Sequence, residues 1–384
     1  FYKNPDIDNQ IIEISQANII TDIINQAEIS YNDGIYRDIF ITASTGAGKS
    51  IMFQIPAIYL AKKHRKLTVI IEPVKALMQD QKEKLNSNGY TRVEVFNSDL
   101  ISQIEKEKVI NKIKNGEVDL LYLSPETLLS YSIETLIGNR EIGLMIIDEA
   151  HIVTTWGFGF RPDYWYLGSY INKIRNGVNY HGFKGKKLQH FPICAFTATA
   201  INGGIDDSVC ETILSLYMEN PIKYIGYAKR ENIGFDINII EKQKSANNLY
   251  EERKAKTLAE RIQTYLVNKE KSIVYFPYAV YAHDAYNGFK SFSNDKQLFT
   301  DKRIGLYTGT NKGSEGIEEF NQNKKNTFEK FRNGDISVVF ATKAFGMGVD
   351  INDIKNVYHY AISGNLCDYV QEIGRAARNK DLHG

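Results

Sequence analysis

The sequence predicts an α/β protein of two tandem domains, each a mostly parallel sheet flanked by helices. Two observations predict it. Short apolar runs rich in β-branched residues alternate with amphipathic segments along most of the chain, the rhythm of parallel sheets covered on both faces. The 384 residues also exceed what one hydrophobic core of ordinary size needs. The division is expected near Tyr227 to Asn232, giving domains 1–228 and 229–384.

Residues 9 to 29 carry apolar side chains at helical spacing and predict one or two helices before the first strand. Asp38-Ile39-Phe40-Ile41-Thr42 reads as that strand. Thr68-Val69-Ile70-Ile71, Val93-Glu94-Val95-Phe96, Leu120-Leu121-Tyr122-Leu123 and Leu144-Met145-Ile146-Ile147 read as further strands. A helix begins after Glu72-Pro73, and Ile101 to Lys114, apolar at Ile104, Val109, Ile110 and Ile113, predicts a surface helix. In the second half, Ser272-Ile273-Val274-Tyr275-Phe276 and Ile304-Gly305-Leu306-Tyr307-Thr308-Gly309 are strands with loops at their carboxyl ends. The charged run Glu251 to Lys256 opens a solvated helix, the alternative being a DNA contact.

The chemistry concentrates where strands end. Ala43-Ser44-Thr45-Gly46-Ala47-Gly48-Lys49-Ser50 lies between a strand and the apolar start of a helix, the setting of a phosphate-binding loop. There Gly46 and Gly48 let backbone N–H groups of the Thr45–Ser50 stretch turn around phosphate oxygens, Lys49 reaches the β- and γ-phosphates, and the Ser50 hydroxyl ligates Mg²⁺. Gln16, upstream, is either an adenine contact or a solvated helix glutamine. Asp148-Glu149-Ala150-His151 follows a buried strand, and two adjacent acids at such a place are costly unless they hold a cation or face a cleft. Asp148 opposite Ser50 would hold Mg²⁺, and Glu149 would orient and deprotonate the attacking water.

Six aromatics fall within the eleven residues Trp156 to Tyr166. Glycines and Pro162 interrupt them, so the stretch fits no strand or helix period. Trp156, Phe158 and Phe160 beside Arg161 would make a platform on which unpaired bases stack, at ~1–3 kcal/mol per base; the alternative is a loop pinned to the sheet by its own aromatics. Arg375 and Arg378, three apart, would share one face of a helix and stand exposed together.

Composition excludes several classes. The net charge of +1 leaves no global basic field, so a nucleic-acid site would be local. No apolar run approaches the ~20 residues of a membrane span, and no secretory leader is visible, so a cytoplasmic (bacterial) or nuclear location is expected. Cys194, Cys210 and Cys367 form no CxxC pair, which leaves neither a disulfide framework nor a four-cysteine zinc site. The first residue is Phe1 and the last ones follow a motif closely, so a piece of a longer protein is expected.

These motifs together resemble the RecQ family of DNA helicases in the second helicase superfamily, with a DEAH box. Besides the phosphate loop, the matching residues are Phe53 to Ala57, Leu77 to Gln81, Asp148 to His151, Trp156 to Tyr164 and Ala195 to Ala200. In the second half they are Val338 to Asp350 and Gln371 to Arg378. The resemblance implies two RecA-like lobes with ATP and Mg²⁺ between them, coupling hydrolysis to 3′-to-5′ movement on single-stranded DNA. It implies that Gln16 and Asp350 contact nucleotide, and that Thr197 and Thr199, partnered by His151, link the ATP site to DNA. Thr308 and Thr342 would touch the DNA backbone, unless they only cap their loops. Gln371, Arg375 and Arg378 would complete the catalytic site, an arginine supplied on closure being worth ~10³–10⁵ in rate.

The chain departs from the family in having no zinc-binding cysteine set and no winged-helix region within the sequence given. Its wording varies at Met347 to Asp350 and at Ala376-Ala377, and residues 168 to 192 are longer and more basic. The expected activity is that of a DNA-stimulated helicase or translocase, the motor of a larger repair or defence protein. The alternatives are an RNA-directed enzyme of the same superfamily and a nucleotide-gated scaffold that no longer cycles.

Overall fold

The computed structural model describes residues 1–384 except 8–9, 45, 98–101, 156–161, 177–187, 204–206, 227–229, 231, 242–246, 293–302, 310–315, 347–350, 365 and 379–384. The chain divides into two compact units, Phe1–Ala228 and Lys229–Gly384. Among the described residues no helix is long and apolar enough to cross a membrane. Cys194 is a buried free thiol and Cys210 an exposed one.

The first unit holds an eight-stranded sheet: β1 (Tyr2–Lys3), β2 (Ile39–Thr42), β3 (Leu67–Ile71), β4 (Val93–Phe96), β5 (Leu120–Leu123), β6 (Ile142–Ile147), β7 (Ile193–Thr197) and β8 (Ile222–Ile225). Their spatial order is β1-β8-β2-β7-β6-β3-β5-β4. Every pair is parallel except β1 with β8 at the edge. Parallel strands are buried on both faces, and β2, β3, β5, β6 and β7 are buried at every position. Each fully buried Ile, Leu or Phe contributes roughly 1.5–3 kcal/mol. Because these strands run the same way, the segments after β2, β3, β5, β6 and β7 emerge along one edge of the sheet.

The helices follow local signals. In α1 (Gln16–Tyr31), Ser15 caps the start in a capping box with Asn18, and Ile19, Ile23 and Ala27 face the core at four-residue spacing. The helical expectation over residues 10–15 is corrected: Ser15 caps the helix that starts at Gln16, Ile11 bridges Tyr2, and the first strand is β1 rather than the run at Asp38. Next come α2 (Lys49–His64), α3 (Lys75–Ser87) and α4 (Gln103–Lys114), the last capped by Ser102 with Glu105. They are followed by α5 (Pro125–Leu129), α6 (Ile133–Ile137), α7 (Ile152–Thr155), α8 (Pro162–Asn176) and α9 (Ser208–Ser215). The aperiodic reading of the aromatic stretch is corrected in its second half: Pro162 opens α8, where proline's missing N–H costs nothing. Tyr164 is fully buried there with Leu167 and Ile171, while Trp165 and Tyr166 point outward.

One buried ion pair gathers this unit at the other edge of the sheet. Asp38 and Arg175 are 0% and 2% exposed in their side chains and meet at 3.0 Å. Asp38 also accepts from the backbone N–H groups of Ile193 and Glu219, each at 2.7 Å.

The second unit carries a four-stranded, all-parallel sheet of β9 (Ser272–Tyr275), β10 (Ile304–Tyr307), β11 (Val338–Ala341) and β12 (Asn356–His359), ordered β10-β11-β9-β12. Helix Asn247–Val267, which contains the charged run at Glu251, packs Leu258, Ile262 and Leu266 against Val274 and Phe340. Phe331 and Phe345 pack against Val339 and Ile354 in a separate cluster.

Candidate active site

The phosphate loop closes β2 onto α2. Ala43 is buried and its N–H donates to Thr197 O at 3.0 Å, anchoring the loop to β7. Gly46 and Gly48 have φ of +83° and +74°, a conformation that glycine adopts without strain. Gly48 is the N-cap of α2, and a Cβ there would collide with the Gln16 amide. The helix has no side-chain cap and no acid in its first turn, so its N–H groups and positive end suit an anion. Lys49 Nζ donates to Ala43 O at 3.2 Å, and Gln16 Nε2 donates to Ala47 O at 2.7 Å. Gln16 is thereby brought to the loop.

The acids lie at the ends of β3 and β6, which are neighbours in the sheet. Asp148 N–H donates to Ile71 O, and its carboxylate accepts from Glu149 N at 2.8 Å. Burial raises the Asp148 pKa to about 6, the charge of Glu149 adding to the rise and Lys49 offsetting part of it. Glu149 has φ of +48°, a strained setting for a glutamate and one that occurs at sites where a side chain must be aimed.

A third acid was not singled out from the sequence. Glu72, 2% exposed, is pushed well above the carboxylate range by burial and by Asp148 and Glu149. Its Oε1 accepts from Val74 N at 3.0 Å, which fixes the entry to α3. The signal for it was a charged residue directly after the apolar run Val69-Ile70-Ile71.

His151 and the threonines come together. His151 Nδ1 lies 2.9 Å from Thr197 Oγ1 and 3.4 Å from Glu149 Oε2. Thr197 Oγ1 lies 2.9 Å from Thr199 O and accepts from Thr199 N at 3.1 Å, an arrangement in which a proton on Nδ1 of His151 would complete the set. The end of β7 is thus tied to the residue that follows Glu149 by two positions.

Ser50 has a partner the sequence reading did not assign. Gln81 Nε2 on α3 donates to Ser50 Oγ at 2.9 Å, Gln54 Nε2 donates to Gln81 Oε1 at 2.7 Å, and Gln54 also reaches Tyr122 Oη at 3.2 Å. Among the described residues no three His, Cys, Asp or Glu side chains are arranged to hold a metal by themselves. A Mg²⁺ held by Ser50, Asp148, phosphate and water needs no such set, and the Asp148 carboxylate, raised by burial and by Glu149, is one that an added cation would relieve.

In the second unit Thr308 and Thr342 end adjacent strands β10 and β11, both buried. Thr342 Oγ1 accepts from Gly309 N at 3.3 Å, and Thr308 Oγ1 lies 3.4 Å from His283 Nε2, so the Thr342 hydroxyl holds the loop that follows β10 and the Thr308 hydroxyl faces helix Ala279–Phe292. Gln371 is half-buried on helix Leu366–Ile373. The arginine expectation is corrected in its geometry. That helix ends at Ile373, Arg375 lies in the turn of residues 374–377 with Arg378 just beyond it, Ala377 has φ of +48°, and Arg375 is buried rather than exposed. Both guanidinium groups act on Tyr275, at the end of β9: burial lifts its phenol to about 12, and their charges oppose the rise. Thr45, Trp156, Phe158, Phe160, Arg161 and Asp350 lie outside the described residues.

Comparison with known proteins agrees with this arrangement. The DEAD/DEAH box helicase model matches residues 15–207, half of the chain, and the helicase conserved C-terminal domain matches residues 257–380. The chain is 29% identical over 344 residues to the ATP-dependent DNA helicase RecQ of Haemophilus influenzae, covering 89% of this chain and 47% of that protein. It is 29% identical over 343 residues to the probable ATP-dependent DNA helicase RecS of Bacillus subtilis, covering 89% and 59%. The chain thus spans about half the length of these relatives. Among solved structures, the DEAD-box helicase Mss116 bound to single-stranded RNA superposes with a TM-score of 0.65 at 14% identity, over 97% of this chain and 74% of that one. The Mycobacterium smegmatis helicase Lhr bound to single-stranded DNA gives 0.63 at 16%, over 94% and 44%. The sheet order, the phosphate loop, the acid pair and these matches together make the chain a RecQ-like member of the DEAD/DEAH box helicase family.

Proposed function

We propose that the chain is the motor core of an ATP-dependent 3′-to-5′ DNA helicase or translocase, part of a larger DNA repair or defence protein acting in the cytoplasm or nucleus. The observation that carries the reading is the convergence, at one sheet edge, of Lys49 and Ser50 on a helix N-terminus with the acids of β3 and β6. Bound there, Mg²⁺ would neutralise charge developing on the β- and γ-phosphates. Gly46, Gly48 and Lys49 would cradle the phosphates, with Thr45 and Ala47 contributing backbone N–H groups and Gln16 and Asp350 contacting the nucleotide. Ser50 and Asp148 would hold the metal. Glu149 would take the proton of the attacking water.

Arg375 and Arg378, with Gln371, would act from the second unit on the γ-phosphate when the units close. Hydrolysis would then depend on DNA through His151, Thr197 and Thr199. Trp156, Phe158, Phe160 and Arg161 would stack and hold unpaired bases, and Thr308 and Thr342 would anchor loops that meet the DNA backbone. The test is phosphate release with no nucleic acid, with single-stranded DNA and with single-stranded RNA. Stimulation by DNA is expected; stimulation by RNA alone would make the enzyme RNA-directed, and no release with saturating DNA would leave a nucleotide-gated scaffold.

A further inference from the structure

We propose that Arg230 and Asn232 are positioning residues for Arg375 and Arg378, a role that rests on the hydrolytic reading above. Arg230 is the second residue of the second unit, yet it reaches far along the sequence to the arginine turn. Its Nη1 donates to Gly374 O at 3.2 Å and its Nη2 to Ala377 O, while Asn232 Nδ2 donates to the same Ala377 carbonyl at 2.9 Å. Asn232 Oδ1 in turn accepts from Arg230 at 3.3 and 3.4 Å, so the two side chains form one rigid fork.

The fork answers two local problems. Helix Leu366–Ile373 has just ended, and the carbonyls at and beyond a helix C-terminus lack intrahelical partners. Arg230 supplies donors to two of them, in the planar two-pronged geometry that a lysine cannot reproduce. Ala377, at φ of +48°, also occupies a region that a non-glycine residue holds only when its surroundings over-determine it. Two donors fix its carbonyl, and its own N–H donates to Ile354 O at 2.8 Å. Ala377 lies between the two candidate arginines, so its backbone angle sets where both guanidinium groups point. The residues that enter the second unit therefore hold the part of it that would complete the ATP site, and a change in the backbone entering the unit passes directly into the arginine turn.

The test uses the full chain with Arg230→Ala, Arg230→Lys and Asn232→Ala. Hydrogen exchange reads the clamp without catalysis: Arg230→Ala should speed exchange at the amides of Gly374 to Arg378 while the amides of β9 and β11 stay protected. Steady-state hydrolysis with saturating single-stranded DNA reads positioning. Loss of aim at a reacting centre costs on the order of 10²-fold, so kcat should fall by about that much in Arg230→Ala, with partial recovery in Arg230→Lys. The ATP KM and affinity for a fluorescent ADP analogue should stay within about threefold, since only interactions made in the transition state are lost. Unchanged exchange at the turn overturns the clamp. Faster exchange with unchanged kcat, or ADP affinity falling in step with kcat, reduces it to a structural bond. A wild type without DNA-stimulated turnover sinks the hydrolytic reading itself, and the positioning role with it.

Discussion

Asp148 provides the sharpest pH prediction. Its carboxyl is raised to about 6 by burial and by the neighbouring Glu149 charge, where an unperturbed aspartate titrates near ~3.9. A ligand that needs the carboxylate binds fully only above the raised value. At pH 5 roughly one molecule in ten has Asp148 ionised, so Mg²⁺-nucleotide affinity should be about tenfold weaker than at pH 7.5; an unshifted aspartate would lose under ~10%. The sign follows from the proton being released on metal binding. The assay is equilibrium titration with a fluorescent ADP analogue from pH 5 to 8, with Mg²⁺ and again with chelator, the difference isolating the metal-dependent part. Glu149→Gln removes the second cause of the rise and should move the inflection to lower pH. A metal-dependent affinity flat across that range, or an inflection unmoved in Glu149→Gln, would refute the assignment of Asp148 as the metal-facing acid.

Other perturbations test separate parts. Lys49→Ala should abolish ATP turnover with folding intact, and normal turnover in that protein would mean the nucleotide site lies elsewhere. Gln81→Leu removes the donor to Ser50 Oγ and should weaken Mg²⁺-nucleotide binding about fivefold, the loss of one hydrogen bond of ~1 kcal/mol; unchanged binding would show that Ser50 is oriented without it. Asp38→Ala leaves Arg175 buried without its counter-charge and two backbone N–H groups without an acceptor, so urea denaturation should show a loss of roughly 3–5 kcal/mol. Trp156→Ala should leave folding and basal hydrolysis unchanged while removing stimulation by single-stranded DNA; full stimulation would return the aromatic stretch to a packing role.

The sheets were legible because their strands are buried on both faces, and an apolar β-branched run such as Leu144 to Ile147 has few other uses. Strands β1, β7, β8, β11 and β12 were not assigned: β1 is two residues long, β12 is half-buried with polar Asn356 and His359 inside it, β8 is interrupted by Lys223, and the buried β7 and β11 entered only as motif residues. The phosphate loop and acid pair were readable because their chemistry fixes residue type at fixed spacing. Glu72, Gln54 and Gln81 were not, since a glutamate after a strand or a glutamine in a helix takes its meaning from partners distant in sequence. Arg375 and Arg378 were singled out, but their spacing suggested a helix face; the carbonyl of Ala377 in the turn accepts from Arg230 and Asn232, which no local pattern near residue 377 announces.

The central claim is that a phosphate cradle from the first unit and a guanidinium from the second act on one nucleotide. Steady-state hydrolysis by Arg378→Ala with saturating single-stranded DNA tests it most directly. The account predicts a fall in kcat of about 10³–10⁵-fold with ADP binding retained; turnover close to that of the wild type would contradict it.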